Sequence, residues 1–192
     1  EVTELKGELF VPSTVHGYLF VYSLTEWQNG WASWRLFGDT ATSITDLRRA
    51  AMASIRVNRT KEKLQNGEVV TVISGLQSSD IIDFLGPMGF DAAWIEMEHG
   101  SVDWDLLGDM TRACDLWQMT SITRVNSNDP GLITRTLDRG SMGIVVPHVN
   151  SYEAAEQAAQ STKYAPLGYR GMFGGRQSFG VGDYFHQAND QT

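Results

Sequence analysis

Phe90-Asp91-Ala92-Ala93-Trp94-Ile95-Glu96-Met97-Glu98-His99-Gly100 is the stretch on which the fold turns. An apolar run passes into two carboxylates, an imidazole and a glycine, and Ser101, Val102 and Asp103 then read as the entry to a helix. A buried strand that ends at a reactive surface has this form. The spacing predicts a strand over Phe90 to Glu96. It also predicts a helix over Asp103 to Trp117, where Trp104, Leu107, Met110 and Cys114 recur at helical intervals.

The same unit repeats on both sides. Val69 to Ser74 is a β-branched run, followed by a Ser78-Ser79-Asp80 helix cap, then Ile81, Ile82, Phe84 and Leu85, and a break at Gly86-Pro87-Met88-Gly89. Downstream, Thr120 to Val125 reads as a strand and Asp129-Pro130 opens a helix that Gly140 closes. Gly143 to Pro147 is a fourth strand, and Ser151 to Ser161 a fourth helix. Strand-then-helix units with short connections imply a parallel sheet with right-handed crossovers, hence an α/β fold. No strand is followed by GxGxxG or GxxxxGK[ST], so a nucleotide-binding doubly wound sheet lacks its fingerprint. Polar residues gather instead after several strands: Glu96, Glu98 and His99, then Arg124 and Asn126, then His148 and Asn150. The C-terminal face of a (β/α)₈ barrel collects its chemistry in this way, and about the first four of its units are present.

A length of 192 residues suits one well-buried domain, and 42% hydrophobic with 20% charged residues is an ordinary globular composition. The net charge of -8 argues against a nucleic-acid partner, which needs clustered Lys and Arg. No apolar run reaches the ~18 residues of a membrane span. The one cysteine, Cys114, falls in the helical pattern as a buried thiol, which fits a reducing, cytoplasmic compartment.

Residues 1–56 read as an aromatic-rich extension and 57–192 as the barrel part. Glu8 to Phe10 and Tyr18 to Ser23 are strand-like, while Trp27, Trp31 and Trp34 are spaced for one helical face, as an aromatic cluster docking the extension would be. A capping pattern at Ser43 to Asp46 predicts a helix through Leu47, Ala50, Ala51 and Ile55 that continues to Leu64 and stops at Asn66-Gly67.

Each chemical candidate has two readings. His99 suits a general base, which a neighbouring carboxylate would orient, or it caps the next helix. Glu96 and Glu98 are catalytic, or merely solvated. Arg124 holds a substrate carboxylate or an enolate oxygen, or pairs with Glu96 or Glu98 across adjacent strand ends. Asp138 opposes its helix dipole and is either neutralised by Arg139 or held for a partner. The glycine-rich loop from Tyr169 to Arg176 binds an anion, or is simply a loop.

These residues resemble the HpcH/HpaI aldolase family, the metal-dependent pyruvate aldolases related to 2-keto-3-deoxy sugar acid aldolases and macrophomate synthase. The resemblance rests on Phe90-Asp91 through Glu98-His99-Gly100, Arg124 with Asn128-Asp129-Pro130, and Leu137-Asp138-Arg139-Gly140. Gly143 through Val149 and Tyr164 through Gly171 complete it. It implies a (β/α)₈ barrel that makes or breaks a carbon–carbon bond next to pyruvate, with a 2-oxo acid and an aldehyde as small-molecule partners. A divalent ion (Mg, Mn or Co) would stabilise the enolate as a Lewis acid. The resemblance also implies His99 as base, Arg124 as oxyanion stabiliser and Asp138 as the carboxylate that raises the histidine's basicity, often across a subunit boundary, hence a homo-oligomer. Glu96 stands where the family commonly has Asp and is expected to orient His99. The family's metal ligands, a Glu and an Asp on later strands, fall beyond Thr192, so none is expected among these residues. The rival expectation is a truncated, non-catalytic scaffold or assembly subunit.

Overall fold

In the computed structural model, residues 54–192 are described in full, and of residues 1–53 only the backbone of four strands. The chain divides into two units, Glu1–Ala51 and Met52–Thr192. In the first, β1 (Thr3–Leu5), β2 (Glu8–Val15), β3 (Tyr18–Leu24) and β4 (Trp34–Leu36) form an antiparallel sheet in sequence order. The two expected strands fall inside β2 and β3. Trp34, expected on a helical face, instead pairs with Leu24 in β4, because cross-strand hydrogen bonding overrides a local spacing. Trp27, Trp31, the docking of an aromatic cluster, and the helix expected from Ser43 through Ala51 lie outside the described residues.

The second unit is a four-stranded parallel sheet of order β5-β6-β7-β8, with strands β5 (Val72–Leu76), β6 (Ala92–Glu96), β7 (Thr120–Arg124) and β8 (Gly143–Val145). Its helices are α1 (Arg59–Gln65), α2 (Ser79–Leu85), α3 (Trp104–Leu116), α4 (Pro130–Asp138), α5 (Tyr152–Thr162) and α6 (Tyr184–Ala188). This is the expected α/β architecture, with four strand–helix units of a barrel-type sheet. Ile55 to Asn58 are not helical, which corrects the continuous helix expected up to Leu64. Asn58 caps a new helix instead, its side chain accepting from the Lys61 N–H at 3.0 Å. Asn66-Gly67 ends that helix as expected, with Gly67 in the left-handed region at φ +74°.

The helix starts follow from their caps. Ser78, Asp103, Asp129 and Ser151 each accept from a backbone N–H of the first turn, and Pro130 occupies the first helical position of α4. Alternation in β6 divides its labour. Ala93 and Ile95, with Met97 just past the strand, enter the core against Leu107, Met110, Ala113 and Cys114 of α3, while Trp94 and Glu96 stay half-buried between them. Burying Ile95, Leu107 and Met110 completely contributes about 1.5–3 kcal/mol each. A second cluster, Val125, Ile133 and Leu137, seats α4 on the sheet.

β5 begins at Val72, three residues later than the β-branched run suggested. Thr71 donates both its N–H and its hydroxyl to Asp91 at 2.9 Å, which sets the start of β5 against the start of β6, and Val69 is left exposed. Because the strands are parallel, their C-terminal ends lie together. Each helix then returns the chain to the other end, and α4 covers ~13 Å of that return at about 1.5 Å per residue. At that other end, a concavity of about 670 Å³ lies between α1 and Thr120, Ile122, Gly143 and Ile144.

Candidate active site

Glu96 and Arg124 are direct partners in the β6–β7 register, so their side chains leave adjacent strand ends at the same level. Arg124 Nε donates to Glu96 Oε2 at 2.7 Å, and an Arg124 terminal nitrogen lies 2.6 Å from the same oxygen. Arg124 Nε also lies 3.1 Å from Glu98 Oε2. The ion-pair reading of Arg124 is therefore realised, with both carboxylates on one guanidinium. Burial alone would push the Glu96 carboxyl up. Hydrogen bonds from Arg124, from the His99 and Glu98 N–H groups and from Trp94 outweigh it and hold Glu96 down at about 2. The Glu96 hydrogen bond, with help from the charge of Glu98, in turn raises Arg124 above its ordinary value.

Glu96 meets His99 through the backbone and not through the ring. Its Oε1 accepts from the N–H of Glu98 at 2.8 Å and of His99 at 3.2 Å, closing the loop after β6 on the strand's own last carboxylate. Gly100 is required there, because a Cβ at this position would sit 2.5 Å from the Glu96 carbonyl oxygen. The His99 imidazole projects outward, 75% exposed, and Nε2 approaches Glu98 Oε2 at 3.8 Å rather than Glu96. Asn126 braces the same loop from just beyond β7, its Nδ2 donating to the Met97 carbonyl at 2.7 Å.

Glu98, with a side chain only 10% exposed, is the common neighbour of Arg124, His99 and, from beyond β8, His148. The polar residues that follow three different strands thus do converge: Glu96, Glu98, His99, Arg124 and His148 form one cluster at the C-terminal edge of the sheet. The sequence placed His148 after its strand but gave no sign that it reaches Glu98, since the contact depends on a backbone turn that composition does not reveal.

Asp138 lies elsewhere. As the last residue of α4 it stands at the opposite end of the sheet from His99. Its carboxylate accepts from Arg170 at 2.8 Å, not from the neighbouring Arg139, whose Nε donates to the Trp104 carbonyl. Within one chain the structure does not bring Asp138 to His99. Asp138 borders a groove of about 490 Å³ lined also by Arg112, Arg135, Phe173, Arg176 and Phe179.

The arginines of the glycine-rich loop are committed internally, which removes the anion-loop reading. Arg170 is buried on Asp138 and stacks over the Tyr164 ring at 4.5 Å, while Arg176 donates to Asp115 at 2.5 Å and to Thr111 at 2.9 Å. Cys114 is buried as expected, and burial, with the charge of Asp115, pushes its thiol up to about 12.

Among the described residues, no group of three or more His, Cys, Asp or Glu side chains converges so as to hold a metal ion. Glu96 and Glu98 are both engaged by Arg124 and do not fit as a ligand set. Nor is any described helix long and apolar enough to cross a membrane.

Comparison with known proteins places this cluster in a wider context. Residues 69–192 match the family model described as HpcH/HpaI aldolase/citrate lyase. The chain is 35% identical over 118 residues to the 2-dehydro-3,6-dideoxy-6-sulfogluconate aldolase of Pseudomonas putida, covering 60% of this chain and 46% of that protein. It is 33% identical over 117 residues to a pyruvate aldolase of Rhizobium etli, with the same coverage of 60% and 46%. The chain thus spans about half the length of the curated relatives it matches. Among solved structures, an HpcH/HpaI aldolase/citrate lyase family protein from Burkholderia cenocepacia superposes with a TM-score of 0.65 at 28% identity, over 71% of this chain and 57% of that one.

Proposed function

The chain belongs to the HpcH/HpaI aldolase/citrate lyase family, and from that premise we propose that it contributes the acid–base half of a carbon–carbon lyase acting on a 2-oxo acid. The observation that carries this reading is the strand-end cluster: an exposed imidazole, His99, beside a guanidinium, Arg124, held at fixed register by Glu96 and Glu98.

In the cleavage direction, His99 takes the proton from the hydroxyl on the carbon adjacent to the bond that breaks. That carbon becomes the aldehyde carbonyl, and the bonding pair passes to the pyruvate fragment as its enolate. The enolate carbon then takes a proton to give pyruvate. Arg124 has five N–H donors, more than its carboxylate contacts consume, and supplies the remainder to the carboxylate or enolate oxygen of the 2-oxo acid. Glu96 fixes both partners at once, through the guanidinium and through the His99 backbone N–H.

A divalent ion is proposed as the cofactor on the strength of the family resemblance, where it supplies Lewis-acid stabilisation of the enolate. The described residues do not fit as its ligands. Asp138 is proposed to support His99 of a neighbouring copy, because within its own chain it lies at the wrong end of the sheet. Mixing inactive His99→Ala and Asp138→Ala proteins would then restore activity by pairing an intact histidine with an intact aspartate.

The test is retro-aldol cleavage of a panel of 2-keto-3-deoxy sugar acids, with and without Mg²⁺, Mn²⁺ or Co²⁺. His99→Ala is expected to lower kcat by about 10²–10⁴-fold, with no change in thermal midpoint because the imidazole is largely exposed. Full activity in that variant would overturn the assignment of His99. No turnover of any substrate by the unaltered protein would favour a scaffold role.

A further inference from the structure

His148 is the third residue past the end of β8, after Val146 and Pro147, and its backbone is in the left-handed region at φ +56°. That conformation is uncommon for a residue other than glycine and persists only where the surroundings hold it. Its consequence is directional. β8 and β6 are separated by β7, about 10 Å at the usual strand spacing, yet His148 Nε2 lies 3.4 Å from Glu98 Oε1.

The other oxygen of Glu98 faces Arg124 Nε at 3.1 Å and His99 Nε2 at 3.8 Å. One nearly buried carboxylate thus gathers three side chains from the ends of three strands. One nitrogen of His148 faces Glu98 as a close approach rather than a formed hydrogen bond, and the rest of its ring is open, with 84% of the side chain exposed. An imidazole directed toward Glu98 by its backbone and otherwise open presents a hydrogen-bonding group to whatever occupies the mouth of the cluster.

We propose that His148 is a specificity-determining residue that hydrogen-bonds an oxygen on the aldehyde fragment of the substrate. This rests on the carbon–carbon lyase reading above. Arg124 and His99 account for the 2-oxo acid and for the hydroxyl proton that moves. His148, displaced from both by one strand, meets the portion of substrate that extends beyond the reacting carbons. The favoured aldehydes carry a hydroxyl or carboxylate next to the carbonyl, and simple alkyl aldehydes gain nothing from it.

The test uses the intact protein and its His148→Ala and His148→Gln variants, each assayed with and without added Mg²⁺, in three measurements. These are exchange of the pyruvate methyl protons in D₂O by NMR, condensation of pyruvate with glycolaldehyde, and condensation with acetaldehyde. In His148→Ala, kcat/KM for glycolaldehyde is expected to fall about tenfold or more, chiefly through KM. Acetaldehyde condensation and proton exchange fall by a clearly smaller factor, and His148→Gln regains part of the glycolaldehyde preference. An equal fall for both aldehydes, unaltered selectivity, or a parallel loss of proton exchange would overturn the role of His148 alone. Absence of both exchange and condensation in the unaltered protein would overturn the lyase reading, and the His148 assignment with it.

Discussion

Arg124 lies opposite Glu96 in the parallel register of β6 and β7, and its Nε donates to Glu96 Oε2 at 2.7 Å. The pairing is fixed by strand geometry before any side chain chooses a rotamer, so the guanidinium arrives at the site already oriented. Lysine keeps the charge and loses the fork. Arg124→Lys is expected to lower kcat by about 10²-fold or more, with the far-ultraviolet circular dichroism spectrum unchanged. Activity within a few-fold of the parent would show that only the charge is needed.

The depressed Glu96 carboxyl gives a definite acid response. Its folded value of about 2 lies below the ordinary 4.5. Its contribution to stability is therefore fully present above the ordinary value and is lost as the pH falls toward about 2. Asp91 behaves alike: hydrogen bonds from Lys63 and from the Thr71 backbone hold it down at about 2, so it weakens in the same window. Thermal midpoints measured from pH 5 down to pH 2 are expected to fall with two carboxylates contributing. Glu96→Gln should be less steep over that range, and an identical slope would count against the pairing.

Gly100 has no room for a methyl group. Its Cβ would meet the Glu96 carbonyl oxygen at 2.5 Å, so Gly100→Ala must displace the loop that carries His99. Activity should drop by more than the accompanying loss of stability explains. A crystal structure of the variant with the loop unmoved would be the contrary result.

Cys114 is fully buried and its thiol is pushed up to about 12, so the thiolate that reacts with alkylating agents is scarce at neutral pH. Iodoacetamide should leave the native protein unmodified by intact mass and label it once in denaturant. Rapid labelling of the native protein would contradict the packing of α3 against β6.

The local signals in the sequence were strong where the physics is local. Ser78, Asp103 and Asp129 cap the helices that their side chains announce, and Gly67 ends one where a left-handed residue was required. β5 starts three residues after its β-branched run begins because its start is set by Asp91 holding Thr71, a contact across twenty residues. Trp34 departs from its helical spacing for the same reason, drawn into a strand by Leu24. At the site, the order of residues at strand ends already grouped Glu96, His99 and Arg124. It did not reveal that Glu96 grips the His99 backbone rather than its ring, that Asp138 would be taken by Arg170, or that His148 turns toward Glu98. Each of these depends on side-chain direction or on a partner distant in sequence.

The alternation along β6 carries an evolutionary constraint. Ala93 and Ile95 serve the core, while Trp94 and Glu96 serve the other surface, so both tasks are written on one five-residue ribbon with a period of two. Losing or gaining a single residue between Ala92 and Glu96 would exchange the two sets, turning a carboxylate into the hydrocarbon interior and an isoleucine out to where the chemistry is proposed. Substitutions can be tried one at a time on this strand, but changes in its length cannot. Lineages that share this arrangement are therefore expected to vary the residues between Phe90 and Gly100 without changing their number.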